Sequence, residues 1–471
     1  MLPSIAALAL ASYAVAAPAP EPLPGSAIHI PVTRRTPSLR KENGDADTER
    51  ISAIIDGVRG KYYGVSSSSN RGLDRRQSNG TGIQITDVGF DSSYTGTVGI
   101  GTPAQNLDVV LDTGSSDLWV ATTGCTSCPS GTTEFNTGGS SSYKSSGNSV
   151  TFQYGSGQAS GTAGTDTVSM GGFTVNGGTV TGVTTVSNNI ISGPVSGIMG
   201  LGFQALSNTQ STPFWQSLLN NGQLANSEMS FYIARNAASV TSNDDETNGG
   251  VFTLGGTNST LFQGDIDFND FPSGSQPSYW LQTVSQLTLN GNTVDIGSAS
   301  SNLAAIDTGT TLLGGPTQAV EAFWSQVSGS RSLSNGMWAF PCDADLSVTI
   351  SFGGKSWPLK SEDINFGNIG QGYCQGAIFD VTQGATTNQN TPSWIVGDTF
   401  LKNVYSVFRA SPGPAVGFAE LSGSASAGTP GGQSNTNSNG GNSSGAVAKS
   451  AKGVSAVMVL AAAAATAVFM A

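Results

Sequence analysis

Most of the chain alternates short β-branched runs with glycine. Runs of this kind, bounded by glycine and polar residues, predict strands, and clear examples are residues 95–99, 107–111, 150–154 and 162–170. Apolar residues at helical spacing are confined to short stretches, such as residues 212–220 and 317–327. The pattern therefore predicts a mostly β protein with few helices.

An internal repeat stands out from this pattern. Residues 109–115 read VVLDTGS and residues 304–310 read AAIDTGT. Each copy is followed by an apolar-apolar-glycine element, which ends 88 residues after Asp112 and 90 residues after Asp307. One Asp-Thr-Gly run alone is more often an ordinary turn, but two copies in register indicate two related halves. If the halves pack about a pseudo-twofold axis, the two aspartates face each other across it.

Two facing carboxylates have a specific chemistry. Ionising both is unfavourable because the two negative charges repel each other, so the pair shares one proton over a broad acidic range. The ionised member can accept a proton from water while the neutral member donates one to a substrate carbonyl. Gly114 and Gly309 allow the tight turns that bring backbone amides near the carboxylates, and the hydroxyls of Ser115 and Thr310 can hydrogen-bond them.

Length and composition narrow the possible architectures and catalytic mechanisms. A chain of 471 residues exceeds the usual size of one hydrophobic core, so two lobes are expected. The single histidine, His29, lies in a segment that we predict to be removed. Its loss excludes a Ser-His-Asp triad, a Cys-His pair and a His-ligated catalytic zinc. We therefore expect carboxylate chemistry with no metal and no cofactor.

Charge divides the first part of the chain from the rest. Residues 1–16 are apolar and end in a small-x-small pattern, which is typical of a secretory signal peptide. Residues 17–76 carry ten Lys and Arg against seven Asp and Glu and end in a dibasic pair, which predicts a pro-segment cleaved after Arg76. Residues 77–421 carry seven Lys and Arg against 24 Asp and Glu, and this acidic balance argues against nucleic acid as a partner.

The C-terminal end has the arrangement of a GPI-attachment signal. A polar, glycine-rich run predicts a flexible spacer, and residues 454–471 are weakly polar to apolar up to the last residue, without the Lys or Arg that would follow a spanning helix. We therefore expect a secreted protein held by a lipid at the plasma membrane or cell wall, with attachment at Asn442, Ser443 or Ser444. The predicted segments are a signal peptide (1–16), a pro-segment (17–76), an N-terminal β lobe (77–248), a C-terminal β lobe (249–421), a spacer (422–445) and a GPI-attachment tail (446–471).

Four cysteines on a secretory route predict two disulfides. Cys342 with Cys374 closes a long loop, and Cys125 with Cys128 closes a small one. A zinc site using all four thiolates is the alternative, although a second Cys-x-x-Cys motif is missing. Three glycan-acceptor patterns agree with the secretory route, and they lie at Asn79, Asn258 and Asn442.

From residue 89 to residue 421 the sequence resembles the pepsin-like family of aspartic proteases, in its fungal, GPI-anchored, yapsin-like type. The motifs that carry the resemblance are DTGSSDLW at 112–119, FQYGSG at 152–157, DTGTTLL at 307–313 and WIVGDTF at 394–400. The resemblance implies a bilobal β fold that binds an extended peptide in a cleft between the lobes. It also implies that Asp112 and Asp307 are the catalytic residues at the centre of that cleft.

The motif at 152–157 resembles the family's flap, a hairpin that closes over the substrate. The resemblance implies that Tyr154, Gly155 and Ser156 contact substrate and that the indole N–H of Trp119 hydrogen-bonds Tyr154. Ser156 stands where certain fungal relatives carry Asp, so their preference for a basic residue before the scissile bond is not carried over. The Cys125 to Cys128 spacing is also shorter than the family's usual first loop.

The sequence thus predicts a monomeric aspartic endopeptidase that cuts extended polypeptides at acidic pH and is made as a zymogen. Basic residues of the pro-segment, such as Arg34, Arg35 or Lys61, are expected to reach the cleft and pair with its carboxylates. Two alternatives have other functions. One is an inactive family member that only binds peptides, against which the two intact motifs weigh, and the other is a wall glycoprotein that serves adhesion.

Overall fold

The structure is a computed structural model that describes most of the chain between residues 27 and 426. The described residues are 27–34, 39, 41, 43–63, 94–154, 157–187, 190–191, 193–235, 247–298, 301–383 and 391–426. All of them belong to the first of two units, residues 1–431, and the second unit, residues 432–471, lies outside the described residues.

The described residues are mainly strands, as the sequence predicts. The strands up to residue 254 are β1 (Ile28–Arg34), β2 (Tyr94–Ile100), β3 (Gln105–Asp112), β4 (Leu118–Ala121), β5 (Lys144–Tyr154), β6 (Gly157–Met170), β7 (Phe173–Val186), β8 (Gly197–Gly200), β9 (Glu228–Ile233) and β10 (Thr247–Leu254). The next are β11 (Phe262–Asp270), β12 (Leu281–Thr283), β13 (Gln286–Leu289), β14 (Asn292–Thr293), β15 (Leu303–Ile306), β16 (Leu313–Gly315), β17 (Arg331–Ser332) and β18 (Trp338–Pro341). The last are β19 (Val348–Ser351), β20 (Ser356–Leu359), β21 (Asn365–Gly370), β22 (Tyr373–Gly376), β23 (Ile378–Asp380), β24 (Trp394–Val396), β25 (Val404–Arg409) and β26 (Ala415–Leu421). The α-helices are α1 (Thr48–Tyr63), α2 (Phe214–Asn220), α3 (Thr317–Ser325), α4 (Ser361–Ile364), α5 (Asp398–Leu401) and α6 (Gly423–Ser426).

The strands form one large sheet and three small ones. The large sheet has the order β11-β26-β25-β9-β10-β1-β2-β3-β8-β4-β7-β6-β5. The small sheets have the orders β12-β15-β24-β16-β23, β14-β13-β19-β20 and β17-β18-β22-β21. One half of the molecule is thus built around β2 to β8 and the other around β12 to β24, which agrees with the predicted bilobal β fold.

The two Asp-Thr-Gly motifs occupy equivalent places in these sheets. β3 pairs in parallel with β8, β8 pairs antiparallel with β4, and β4 pairs in parallel with β7. The same pattern recurs for β15, β24, β16 and β23. Asp112 is the last residue of β3, and Asp307 directly follows β15. The repeat in the sequence is therefore a repeat of structure.

The glycine that ends each apolar-apolar-glycine element has a steric role. A Cβ atom on Gly200 would lie 2.3 Å from the backbone nitrogen of Ser116, and one on Gly397 would lie 2.1 Å from the carbonyl oxygen of Thr310. No L side chain fits at these distances. Each strand can therefore lie directly against the loop that follows the aspartate of its own half.

Both helical stretches predicted from the sequence are helices, with slightly different ends. α2 begins at Phe214 rather than at residue 212, because Pro213 precedes it in an extended conformation as the N-cap. α3 ends at Ser325, two residues before the predicted end.

Helix α1 was not predicted, although the sequence carries its signals. Asp47 caps the helix, since its side chain accepts a hydrogen bond from the Arg50 amide at 3.2 Å and its carbonyl accepts one from Ile51 at 2.9 Å. The buried apolar residues then recur at helical spacing, at Ile51, Ile54, Ile55, Val58 and Tyr62.

The described residues between 27 and 63, here called the N-terminal segment, are integrated into the fold. β1 lies in the large sheet between β10 and β2 and pairs antiparallel with both. The apolar face of α1 packs in one cluster with residues of the C-terminal half, among them Leu312, Met337, Phe366 and Phe379. Among the described residues, no helix has the length and apolar character needed to cross a membrane.

Candidate active site

The loops after β3 and β15 are tied to each other by reciprocal hydrogen bonds. The Thr113 amide donates to the Thr308 hydroxyl at 3.1 Å, and the Thr308 amide donates to the Thr113 hydroxyl at 2.9 Å. Each hydroxyl then donates across to the other half, from Thr113 to the Ile306 carbonyl at 2.9 Å and from Thr308 to the Leu111 carbonyl at 2.7 Å. This pseudo-symmetric set of bonds fixes the two loops in register.

Each carboxylate is also held by its own loop. Asp112 accepts hydrogen bonds from the Gly114 amide at 2.8 Å and from the Ser115 hydroxyl at 2.5 Å. Asp307 accepts the equivalent bonds from the Gly309 amide at 2.9 Å and from the Thr310 hydroxyl at 2.6 Å. Both aspartates are buried. The two glycines and the two hydroxyl residues predicted to hold the carboxylates therefore all lie within hydrogen-bonding distance of the expected carboxylate.

The glycines are needed because the two carboxylates approach closely. A Cβ atom on Gly309 would lie 2.3 Å from Asp112 Oδ1, and one on Gly114 would lie 2.6 Å from Asp307 Oδ1. The backbone of each loop thus lies against the carboxyl group of the opposite half. Any larger residue at either position would push the pair apart.

Two residues at the end of α1 contact this pair directly. Lys61 Nζ lies 2.9 Å from Asp112 Oδ1 and 2.8 Å from Asp307 Oδ2, and its side chain has no exposed surface. The Tyr62 hydroxyl donates to Asp307 Oδ2 at 2.8 Å. Of the three basic residues predicted to reach the cleft, Lys61 does so, whereas Arg35 and the side chain of Arg34 lie outside the described residues.

The environment moves the pKa values of the two carboxyls in opposite directions. Burial raises the pKa of Asp112 to about 6, even though the charge of Lys61 opposes this shift. Burial also acts on Asp307, but the Lys61 charge and the hydrogen bonds to this carboxylate outweigh it and lower its pKa to about 2. Burial disfavours the charged form of Lys61, and the two aspartates overcome that effect and raise the Lys61 pKa.

Further contacts of α1 lie on the C-terminal half. The Tyr62 ring packs against Tyr279, with 5.0 Å between ring centroids. The Arg59 guanidinium donates to the side chain and carbonyl of Asn335 and to the carbonyl of Asp380. The sequence did not single out Tyr62, Arg59 or Tyr279, although the helical spacing from Ile51 to Tyr62 was a signal that could have placed α1.

Parts of the predicted flap lie outside the described residues. Gly155 and Ser156 are among these, as is the side chain of Tyr154, so the predicted bond between Tyr154 and Trp119 stays a prediction. The flanking strands β5 and β6 form a hairpin in which the Tyr154 backbone pairs with Gly157. Trp119 is buried and stacks on Phe152, with ring centroids 6.4 Å apart.

Both predicted disulfides are present. Cys125 is bonded to Cys128, with Cα atoms 5.6 Å apart, and Cys342 is bonded to Cys374, with Cα atoms 4.9 Å apart. None of the four thiolates is therefore left to bind zinc. No group of three or more His, Cys, Asp or Glu side chains within the described part of the chain is arranged to hold a metal ion.

Of the predicted processing and modification sites, only Asn258 lies within the described residues. Arg76, Asn79 and the candidate attachment residues 442–444 lie outside the described residues. Asn258 is described and partly exposed, and its side-chain oxygen accepts hydrogen bonds from the Thr260 amide and hydroxyl at 3.1 and 2.7 Å.

Comparisons with known proteins agree with this geometry. The family model described as eukaryotic aspartyl protease matches residues 93–421. The chain is 39% identical over 427 residues to major aspartyl peptidase 1 of Cryptococcus neoformans var. grubii, covering 84% of this chain and 86% of the relative. It is 31% identical to an aspartic protease of Phaffia rhodozyma (83% and 91% covered) and 32% identical to rhizopuspepsin of Rhizopus chinensis (69% and 78% covered). The chain belongs to the eukaryotic aspartyl protease family and is an aspartic-type endopeptidase.

Proposed function

We propose that the protein hydrolyses peptide bonds of extended polypeptides at acidic pH, with Asp112 and Asp307 as a catalytic pair that activates one water molecule. The observation that carries this proposal is the meeting of two buried carboxylates from equivalent strand ends, each held by an amide and a hydroxyl of its own loop. Charge repulsion and burial favour one shared proton between them.

The chemistry follows from that shared proton. The ionised carboxylate takes a proton from water as the water oxygen bonds to the substrate carbonyl carbon, and the neutral carboxyl gives its proton to the carbonyl oxygen. Proton transfer to the amide nitrogen then breaks the carbon–nitrogen bond. The products are a carboxylic acid and an amine, and the pair again holds one proton.

Replacing each carboxyl with its neutral isostere tests the mechanism. After removal of residues 17–76, we expect Asp112→Asn and Asp307→Asn each to lower kcat on a denatured protein substrate at acidic pH by about 10²- to 10⁴-fold. The exposed Asp295→Asn serves as the matched control. Full activity in either correctly folded active-site variant would exclude this mechanism.

We further propose that residues 17–76 are an inhibitory pro-segment. The support is the position of Lys61 and Tyr62, whose side chains occupy the space between the two carboxylates where water and a substrate carbonyl would have to bind. In this proposal the uncleaved chain is latent until acid loosens the segment and the chain is cut after Arg76.

Sequencing the N-terminus of the secreted protein tests the cleavage site, and the pair Arg75→Ala/Arg76→Ala tests its role. We expect a mature N-terminus at Gln77 and an uncleaved variant that is inactive at neutral pH. A mature N-terminus far upstream of Gln77, or an uncleaved form with full activity at neutral pH, would contradict the assignment.

We also propose secretion and a GPI anchor, on the basis of the apolar start of the chain and its small-residue site, spacer and apolar tail. Phosphatidylinositol-specific phospholipase should move the protein from the membrane or wall fraction into solution. Detection of the peptide 454–471 in the mature protein would contradict the anchor.

A further inference from the structure

The N-terminal segment places a second cation against the C-terminal half, outside the carboxylate pair. Arg59 keeps only 5% of its surface exposed. Its guanidinium donates to Asn335 Oδ1, to the Asn335 carbonyl at 3.2 Å and to the Asp380 carbonyl. All three partners are oxygen acceptors, and a buried guanidinium needs such acceptors to offset its loss of hydration. We call these three oxygens the acceptor cradle.

The C-terminal half holds the two backbone carbonyls of the cradle. The Asn335 side-chain amide, in contrast, donates to the Ser52 carbonyl and hydroxyl of α1 at 3.1 and 2.9 Å, so the position of Asn335 Oδ1 depends on the N-terminal segment. Asp380 ends β23, whose pairing with β16 sets Asp380 opposite Gly315. The Asp380 carboxylate accepts hydrogen bonds from the Thr317 hydroxyl at 2.8 Å and the Thr382 amide at 3.0 Å. Asn335 adopts a left-handed conformation, with φ 59° and ψ 35°, which asparagine tolerates better than most residues. The two backbone carbonyls therefore stay in place when the segment leaves.

A glycine keeps the space for the guanidinium open. A Cβ atom on Gly336 would lie 2.4 Å from Arg59 Nη2 and 2.6 Å from the Asp380 carbonyl oxygen. The charges of Asp380 and Asp56 favour the cationic form of Arg59, although burial outweighs them and lowers its pKa. Asp56 departs with the N-terminal segment, whereas Asp380 remains beside the cradle.

We propose that the acceptor cradle is a substrate subsite that binds an arginine side chain once the N-terminal segment has been removed. This inference rests on the proposed proteolytic function and adds a substrate class to it, namely polypeptides with arginine near the cut bond. Arg59 and Lys61 lie two residues apart in α1 and contact the cradle and the carboxylate pair, so one helix covers both sites and both are uncovered together when the segment leaves. A planar guanidinium can donate to both carbonyls at once. A lysine ammonium is a compact point charge and cannot reproduce that geometry.

A peptide series tests this subsite. The activated enzyme is given peptides that carry arginine at each position on either side of the cut, and a matched series with citrulline, which has the same shape but no charge. We expect kcat/KM to favour arginine over citrulline roughly tenfold at one position, since hydrogen bonds from a charged donor are about twice as strong as neutral ones. Equal rates at every position overturn the subsite, whereas failure to cleave any peptide overturns the proposed function instead.

Variants of the cradle test whether it is the source of the preference for arginine over citrulline. Gly336→Ala fills the guanidinium space and should bring the arginine-to-citrulline ratio at that position close to one. Gly291→Ala is the matched control, because Gly291 also has a positive φ, of 79°, but has open space around its Cβ position. Asn335→Asp adds a carboxylate to the cradle and should raise the ratio severalfold above that of the unmodified enzyme. Three results would each overturn the assignment. The arginine preference could persist in Gly336→Ala, it could fall equally in Gly291→Ala, or it could stay unchanged in Asn335→Asp.

Discussion

The two Asp-Thr-Gly halves match closely in backbone and differ in what packs on them. Each carboxylate accepts one amide and one hydroxyl bond from its own loop, and the two threonines exchange bonds across the axis. Lys61 contacts both carboxylates, but the Tyr62 hydroxyl contacts only Asp307. The pKa is about 6 for Asp112 and about 2 for Asp307. The repeated fold thus supplies the symmetry, and the N-terminal segment contributes to the asymmetry.

A second difference lies five residues after each aspartate. Asp117 is buried and accepts hydrogen bonds from Ser207 at 2.8 Å and from the Asn208 amide at 2.7 Å, so it anchors the loop after β8. Its counterpart Leu312 belongs to the apolar cluster that receives α1. One half therefore uses this position to hold its own loop, and the other uses it to bind the N-terminal segment.

Removing Lys61 has the largest expected effect on the docking of α1. At neutral pH, Lys61→Met leaves two buried carboxylates without their cation, and breaking a buried ion pair costs about 3–5 kcal/mol. We expect α1 to open more readily by that amount, measured as hydrogen exchange of its amides in the uncleaved chain. Lys355→Met, which removes an exposed lysine paired with Glu420, should leave the exchange of α1 unchanged.

The effect of Lys61→Met on the docking of α1 should depend on pH. Lys61 lowers the pKa of both carboxyls, so its contribution to docking is greatest where both are ionised, above pH 6. It decreases as pH falls through about 6, where Asp112 takes up a proton, and is lost only below about 2. A difference between wild type and Lys61→Met that stays constant from pH 7 to pH 4 would contradict the assigned carboxyl pKa values.

The reciprocal threonines test whether the halves are equivalent in stability. Thr113→Val and Thr308→Val each leave a buried amide and a buried carbonyl without a partner, at about 1–3 kcal/mol per unsatisfied group. We expect similar losses of unfolding free energy in chemical denaturation, and a double variant that costs less than the sum. Thr288→Val, in a partly buried hydroxyl pair, is the control. A large loss of unfolding free energy for only one of the two variants would show that equivalent hydrogen bonds contribute unequally to stability in the two halves.

Sequence reasoning succeeded where the signal is local or repeated. The β pattern, the pairing of Asp112 with Asp307 and both disulfides follow from periodicity, register and cysteine count. Sequence reasoning is less complete for α1, although the cap at Asp47 and the helical spacing from Ile51 are signals that the sequence carries. The roles of Arg59 and Gly336 depend on contacts between residues more than 270 positions apart, and no spacing along the chain encodes those contacts.

The hydroxyl donors test the equivalence of the halves in the enzyme from which residues 17–76, the proposed pro-segment, have been removed. Ser115 and Thr310 each donate to a carboxylate and so favour its charged form. Ser115→Ala and Thr310→Val should therefore raise the pKa values of the coupled pair and move the pH–activity profile to higher pH. We expect shifts below about one unit, or about 1.4 kcal/mol. Thr310→Ser keeps the hydroxyl and should restore the original profile. A shift to lower pH in either variant would contradict this role.

Tyr62→Phe has the smallest expected effect and acts on one half only. It removes the hydroxyl that donates to Asp307, but this carboxylate keeps its bonds to Lys61, Gly309 and Thr310, so the docking of α1 should weaken by only about 0.5–1.5 kcal/mol. Because the pKa of Asp307 is about 2, the acceptor stays ionised and the loss should be constant between pH 7 and pH 3. The loss in Lys61→Met, in contrast, should shrink over the same range. Tyr63→Phe is the matched control, since its hydroxyl donates to the Pro392 carbonyl and not to the pair. If the effect of Tyr62→Phe fell in parallel with that of Lys61→Met as Asp112 is protonated, the asymmetry between the halves would have to arise elsewhere than at Asp307.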